Sequence, residues 1–193
     1  MTKTELCNMA LARIGDKRIN DFETDASTQG IHCRLHYEQT KKALLRSFRW
    51  NFASKRVALS EDSSTPLFEW DHQYLLPSDF LRLRFVYEDD GVDTEDDRFE
   101  IEGRKILTNY DTCNIKYIRD VTDPTEFDAL FVELLVLRLA WKLINPLAGT
   151  NANSLKDDVK EELKEINRKA QAVSAQETNV AGREDWDLSR TGS

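Results

Sequence analysis

Phe127 to Ile144 reads FDALFVELLVLRLAWKLI, and how this stretch folds decides the architecture of the chain. Only Asp128, Glu133, Arg138 and Lys142 interrupt its apolar residues. On a 3.6-residue period these four charges do not gather on one side, so a helix buried on more than one face is expected. Asp123-Pro124-Thr125-Glu126 precedes it with the marks of a helix start: Asp or Thr as the cap and an acid in the first turn. Asn145-Pro146 is expected to stop it, because proline disfavours helical geometry in the residue before it. Membrane spans of ~20 residues carry few or no charges. The stretch is therefore expected at the centre of a packed helix bundle, in contact with neighbouring subunits as well.

On the N-terminal side, Thr2-x-x-Glu5 has capping-box spacing. Leu6, Met9, Ala10, Arg13 and Ile14 follow at helical spacing, and Gly15 is a natural terminator. Asp25 or Ser27 is expected to cap a second helix running to about Phe48, with Ala26, Gly30, Cys33, Tyr37, Thr40, Leu44 and Phe48 as its stripe. The pattern changes at Trp50. Strands are expected over 51–59, in a piece ending at Pro77, and over 81–87, where Leu81, Leu83, Phe85 and Tyr87 alternate with Arg82, Arg84 and Val86. Phe99–Glu102 and Lys105–Leu107, joined by Gly103-Arg104, read as a hairpin, and Ile115, Tyr117 and Arg119 continue the alternation.

On the C-terminal side, Ser154 is expected to open a long helix. Its narrow seam is Leu155, Val159, Leu163, Ile166, Ala170 and Val173. Asp157–Lys160, Glu161–Lys164 and Glu165–Arg168 are candidate i,i+3 pairs, each contributing only ~0.2–0.5 kcal/mol. Residues 179–193 have no periodic pattern and too little apolar surface to fold alone. Trp186 and Leu188, flanked by Arg183 and Arg190, are the expected partner contacts of this arm. The fold class is α+β, mainly α: a helix bundle with an inserted antiparallel β subdomain and an extended C-terminal tail. Helical halves occupy 1–49 and 121–178, the β-rich insert 50–120 and the arm 179–193.

Composition narrows the functions available. The chain has 193 residues, 40% hydrophobic and 32% charged, with a formal net charge of −8. That charge argues against nucleic-acid or anionic-membrane affinity driven by overall charge, while leaving room for a local basic patch. The polar N-terminus has no apolar stretch of the kind a secretory signal needs. Cys7, Cys33 and Cys113 fit no zinc or disulfide spacing, so a reducing compartment is expected.

Three groups carry enough chemistry to weigh. His32 and His36 are spaced i,i+4 around Cys33, as zinc ligands can be, but no third ligand is identifiable, and a solvated helix face is expected. The acidic run EDDGVDTEDD from Glu88 to Asp97 fails the calcium-loop pattern, because Gly91 in the sixth place would put Val86 first. Lys41, Lys42, Arg46, Arg49, Lys55 and Arg56 surround Phe48, Trp50 and Phe52, a footprint of single-strand binding. In an acidic chain the expected reading is instead core aromatics with solvated bases. No triad, phosphate loop or dinucleotide fingerprint is present, so catalysis and cofactors are not expected.

Several stretches, taken in order, resemble the head-to-tail adaptor of short-tailed bacteriophages, the family of tail tubular protein A. They are Ala10-Leu-Ala-Arg-Ile-Gly15 with Ile19, Tyr37, Leu44-Leu45, Trp50-Asn-Phe-Ala-Ser-Lys-Arg-Val-Ala-Leu59, Tyr74-Leu-Leu-Pro-Ser-Asp-Phe-Leu-Arg82, Ile101-Glu-Gly-Arg-Lys-Ile-Leu-Thr108, Ile115-Lys-Tyr117 and Phe127-Asp128. No single motif is diagnostic; their order is. The resemblance spans roughly 5–145 and implies a helix bundle with an inserted β subdomain. It also implies a ring, usually of twelve copies, beneath the portal protein, carrying the tail nozzle protein and leaving a channel through which genome DNA passes without specific binding. The place implied is the virion neck, and the host cytoplasm during assembly. Two other functions compete: a tail-associated glycan hydrolase using acids such as Glu95 or Asp97, and a nucleic-acid-binding module built on residues 41–56. A hydrolase needs two carboxylates about 5 to 9.5 Å apart, and nucleic-acid binding would fall steeply with salt.

Overall fold

The computed structural model describes residues 1–88, 99–149 and 152–176. The fold is mixed α+β, with four α-helices and two small antiparallel sheets among the described residues. Helix α1 (Lys3–Arg13) opens on the expected capping box: Glu5 N–H donates to Thr2 Oγ1 at 3.1 Å, and Thr2 N–H donates to Glu5 Oε2 at 2.7 Å. Gly15 ends the turn at φ 72°, a conformation other residues rarely adopt. Helix α2 (Thr28–Ser47) is capped by Ser27, whose Oγ accepts from Gly30 N–H at 3.2 Å. Gly30 is required there, because a Cβ would lie 2.5 Å from the Asp25 carbonyl oxygen.

Helix α3 (Ala129–Leu147) is the centre of the helical part and packs against α1, α2 and a fourth helix, α4 (Ala152–Gln176). Phe131, Leu134, Leu135, Leu137, Leu139, Ala140, Leu143 and Ile144 are all fully buried. Two expectations change at this helix. Its cap is Asp128, whose Oδ1 accepts from Leu130 and Phe131 N–H, while Asp123 caps a separate 3-10 turn, Pro124–Glu126. The helix runs through Pro146, because a proline in an exposed last turn forfeits one hydrogen bond to a carbonyl that water can reach. Arg138 and Lys142 do share one stripe, with Trp141 between them.

Helix α4 begins at Ala152 rather than Ser154. It buries Val159, Ile166 and Ala170, but Val173 at the far end of the seam is exposed. Glu161 pairs with Lys164 at 2.7 Å as expected, whereas Glu165 pairs with Lys169 at i,i+4 rather than with Arg168. Asp157 and Lys160 form no ion pair. The i,i+4 order with Glu on the N-terminal side is the better geometry on a helix.

Strands β1 (Ser54–Ala58), β2 (His72–Leu75), β3 (Phe80–Tyr87), β4 (Phe99–Glu102), β5 (Lys105–Thr108) and β6 (Asn114–Arg119) lie between α2 and α3 in the chain. They form two sheets, ordered β1-β6-β3 and β2-β5-β4, with every pairing antiparallel. The alternation expected in β3 is broken by irregularities between Phe80 and Arg82 and between Leu83 and Phe85. Each adds a residue, so Phe80, Leu83 and Val86 pack with Ile115 and Tyr117 of β6, while Leu81 turns to the helical core. Tyr74, Ile106, Val86, Ile115 and Tyr117 bring both sheets into one cluster, separate from the helical core around α3. The three cysteines are free and buried, and Cys7 and Cys33 face each other across α1 and α2. The hydrogen bond that the Cys7 thiol donates to Cys33, and burial, together push the Cys7 pKa far up.

Candidate functional site

The three helices that meet at the exposed stripe of α3 enclose a groove of about 420 Å³. Helix α2 contributes Gln39, Thr40 and Ala43; α3 contributes Arg138, Trp141 and Lys142; α4 contributes Lys160 and Leu163. The spacing explains the grouping: 138, 141 and 142, like 160 and 163, stand three or four residues apart on one helix face. Trp141, Leu163 and Ala43 supply the apolar surface. Arg138, Lys142 and Lys160 surround it with three cations and no acid in the lining.

Among the described residues none of these three cations has an ion-pair or hydrogen-bond partner. Burial lowers the pKa of the Arg138 guanidinium. His36, one turn before Gln39 and Thr40, is held below its ordinary value by burial first, then by His32 and Lys142. The groove margin is thus electropositive. Such an arrangement has the chemistry to take one or two hydrophobic side chains on an apolar floor with carboxylates at the cations. A larger depression of about 860 Å³ between α1 and α4 mixes both signs, and the Arg13–Glu162 pair at 2.8 Å lies in its wall.

The sequence-predicted residues fare differently. Arg183, Trp186, Leu188 and Arg190 lie outside the described residues, as do Glu95, Asp97 and most of the acidic run. In the basic–aromatic stretch the aromatics belong to the core. Trp50 is 4% exposed, its ring lies 5.2 Å from Phe131 and 5.3 Å from Phe48, and its Nε1 donates to the Leu44 carbonyl at 3.1 Å. Lys41 is not solvated: it is buried with Glu38 and Asp120 at 2.9 Å each. Lys42 reaches Asp120 at 3.3 Å and Lys55 reaches Asp79 at 3.2 Å.

His32 and His36 are half-buried rather than on a solvated face, with rings stacked 6.3 Å apart at 12°. Cys33 points to the core, away from them, and no group of three metal-ligating side chains occurs among the described residues. Two features escaped the sequence reading. One is the groove, which depended on α4 crossing beside α2. The i,i+4 spacing of Arg138 and Lys142 around Trp141 was the available signal. The other is the gathering of Arg84 with Arg49, Arg56 and Arg82, which together with burial lowers the Arg84 pKa. Register causes it: Arg56 and Lys116 are directly paired, and Arg84 sits at a β3 irregularity beside them.

No protein-family model matches the chain, and no curated protein matches its sequence. No helix among the described residues is long and apolar enough to cross a membrane.

Proposed function

We propose that this chain is a structural head-to-tail adaptor of a short-tailed phage virion. It forms a ring that joins the portal protein to the tail nozzle protein and lines the DNA exit channel. On this reading the fold is a helix bundle around α3 with an inserted β subdomain at 50–120 and an extended C-terminal tail at 179–193. The observation that carries it is the ordered run of adaptor-like stretches from Ala10 to Asp128. Exposed hydrophobic residues in three separate places support a chain with neighbours on several sides: Ile31 and Leu35 on α2, Leu67 and Phe68 before β2, and Phe99 and Ile101 on β4. The net charge of −8 suits a channel wall, because a lumen that gripped phosphates would slow the genome.

The same charge makes assembly depend on a template. Copies of an acidic chain repel until a portal aligns them. The isolated protein is expected to be a monomer or small oligomer and to close into a ring only on its portal. Native mass spectrometry of the protein alone and with portal tests this. Absence of any portal complex overturns the adaptor reading, and a stable ring formed alone at low salt overturns the template step.

A further inference from the structure

We infer that the groove between α2, α3 and α4 receives the segment 184–188 of a second copy of this chain. The segment reads Glu184-Asp185-Trp186-Asp187-Leu188 and belongs to the seventeen residues that follow Gln176. These residues lie outside those described, so the inference stands on the groove and on the sequence of the arm.

Complementarity identifies the occupant. The groove offers Arg138, Lys142 and Lys160 around Trp141, Leu163 and Ala43. The segment offers three carboxylates around one Trp and one Leu. Neither set is matched within the described fold: the three cations have no partner there, and Arg138 bears a desolvation cost without a carboxylate to offset it. An indole against Trp141 and Leu163 supplies apolar contact area, and the flanking acids fix its register by charge. Of the other segments with an aromatic residue between two acids, Glu69-Trp70-Asp71 leads directly into β2 and brings two carboxylates rather than three, and Glu126-Phe127-Asp128 is committed to the Arg119 pair and the α3 cap.

The ring reading favours a second copy over the same one. Leu163 lies about 20 Å before Gln176 along α4, at roughly 1.5 Å per residue. A chain filling its own groove must reverse at the end of α4 and run back across that span. Residues 177–183, extended at about 3.3 Å each, can span that distance, so the assignment comes from the ring: in a closed ring each groove meets one neighbouring arm. The inference rests on the ring reading and adds the contact that joins adjacent copies.

The test uses a fluorescent peptide of residues 179–193 and full-length proteins, read by anisotropy. Wild type and Trp186→Ala protein are expected to bind the peptide equally and saturably. Lys142→Glu/Lys160→Glu protein is expected to bind at least about tenfold more weakly. A peptide carrying Asp185→Lys and Asp187→Lys is expected to restore binding to that variant, which a misfolded groove could not do. Binding that is absent, or unchanged by the groove charges, overturns the inference. Wild type closed to the peptide while Trp186→Ala protein is open means the arm fills its own groove, which overturns the second-copy assignment. The ring reading is judged separately, by mass on the portal, so either can fail alone.

Discussion

Lys41 and Arg138 lie on adjacent helices, and both are cations partly or wholly withdrawn from water. Lys41 is 1% exposed, yet Glu38 and Asp120 both reach its amine at 2.9 Å. Arg138 is half-buried beside Trp141 and has no carboxylate among the described residues. The first cation is satisfied by its own chain and ties α2 to the loop after β6. The second bears desolvation without compensation, an arrangement that helps the fold little and a partner much. A sequence pattern of basic residues cannot separate these roles; only the location of the acids does.

The sharpest way to break this comparison is to remove each charge. Lys41→Met is expected to cost about 2–3 kcal/mol, because it leaves the mostly buried Asp120 carboxylate with only the more distant, exposed Lys42. Arg138→Met is expected to change stability by no more than about 0.5 kcal/mol, since no partner is orphaned. Urea unfolding of both variants measures this, and equal costs would erase the distinction.

Local signals explain what was legible in the sequence. The Thr2 capping box, the Ser27 cap, the Gly15 terminator and the α2 face from Gly30 to Leu44 all depend on residues within a few positions and formed as read, while Ala26 is exposed and Phe48 follows the helix. The α3 cap and the run through Pro146 were local misses, but most of what failed depended on residues far apart. The β3 alternation was lost because its pairing with β6 admits two extra residues, which no count along β3 alone discloses. Lys41 looked solvated because Asp120 is distant in the chain. The groove needed α2, α3 and α4 placed together, so its three cations looked like scattered surface charge. The arm residues chosen from the sequence fall outside the described chain, so their placement is addressed by the peptide test.

A second, smaller contrast sets Trp141 against Trp50. Trp50 is 4% exposed and enclosed by Phe48, Phe52 and Phe131, so Trp50→Ala is expected to cost about 3 kcal/mol or more. Trp141 is only half-buried at the groove, so Trp141→Ala is expected to cost about 1–2 kcal/mol. Thermal unfolding distinguishes them. A Trp141 cost as large as that of Trp50 would make the indole a core residue and remove the apolar floor of the groove.

Truncation after Thr178 is expected to shift the melting temperature of the free protein by no more than about 1 °C, a change well under 1 kcal/mol. It should also weaken retention of the ring on its portal. Ordering some ten residues costs on the order of 1 kcal/mol or more each, so one arm binds weakly and many arms hold together through effective concentration. Unfolding of the truncated monomer, or undiminished retention of the truncated ring, contradicts this.

The smallest expected effect is a pH dependence at the groove margin. Burial, with His32 on α2 and Lys142 on α3, holds the pKa of His36 below its ordinary value of 6.5. The proton therefore prefers the unfolded chain, and stability declines as pH falls through 6.5 toward the lower folded value. His72 acts in the opposite sense. The hydrogen bond that its Nδ1–H donates to Glu61 raises its pKa, so its contribution is present below 6.5 and fades as pH rises through the raised folded value. Subtracting the melting curve of His36→Gln from that of wild type isolates the first term. Between about pH 8 and pH 5 the wild type should lose stability relative to the variant. A saturating peptide of residues 179–193 should shrink that loss, because its carboxylates would sit among Arg138, Lys142 and Lys160 and favour the protonated ring. If the difference has the opposite sign without peptide, the margin of the groove is not cationic. If peptide binds but leaves the difference unchanged, its acids do not lie beside His36 and the segment seats elsewhere on α3.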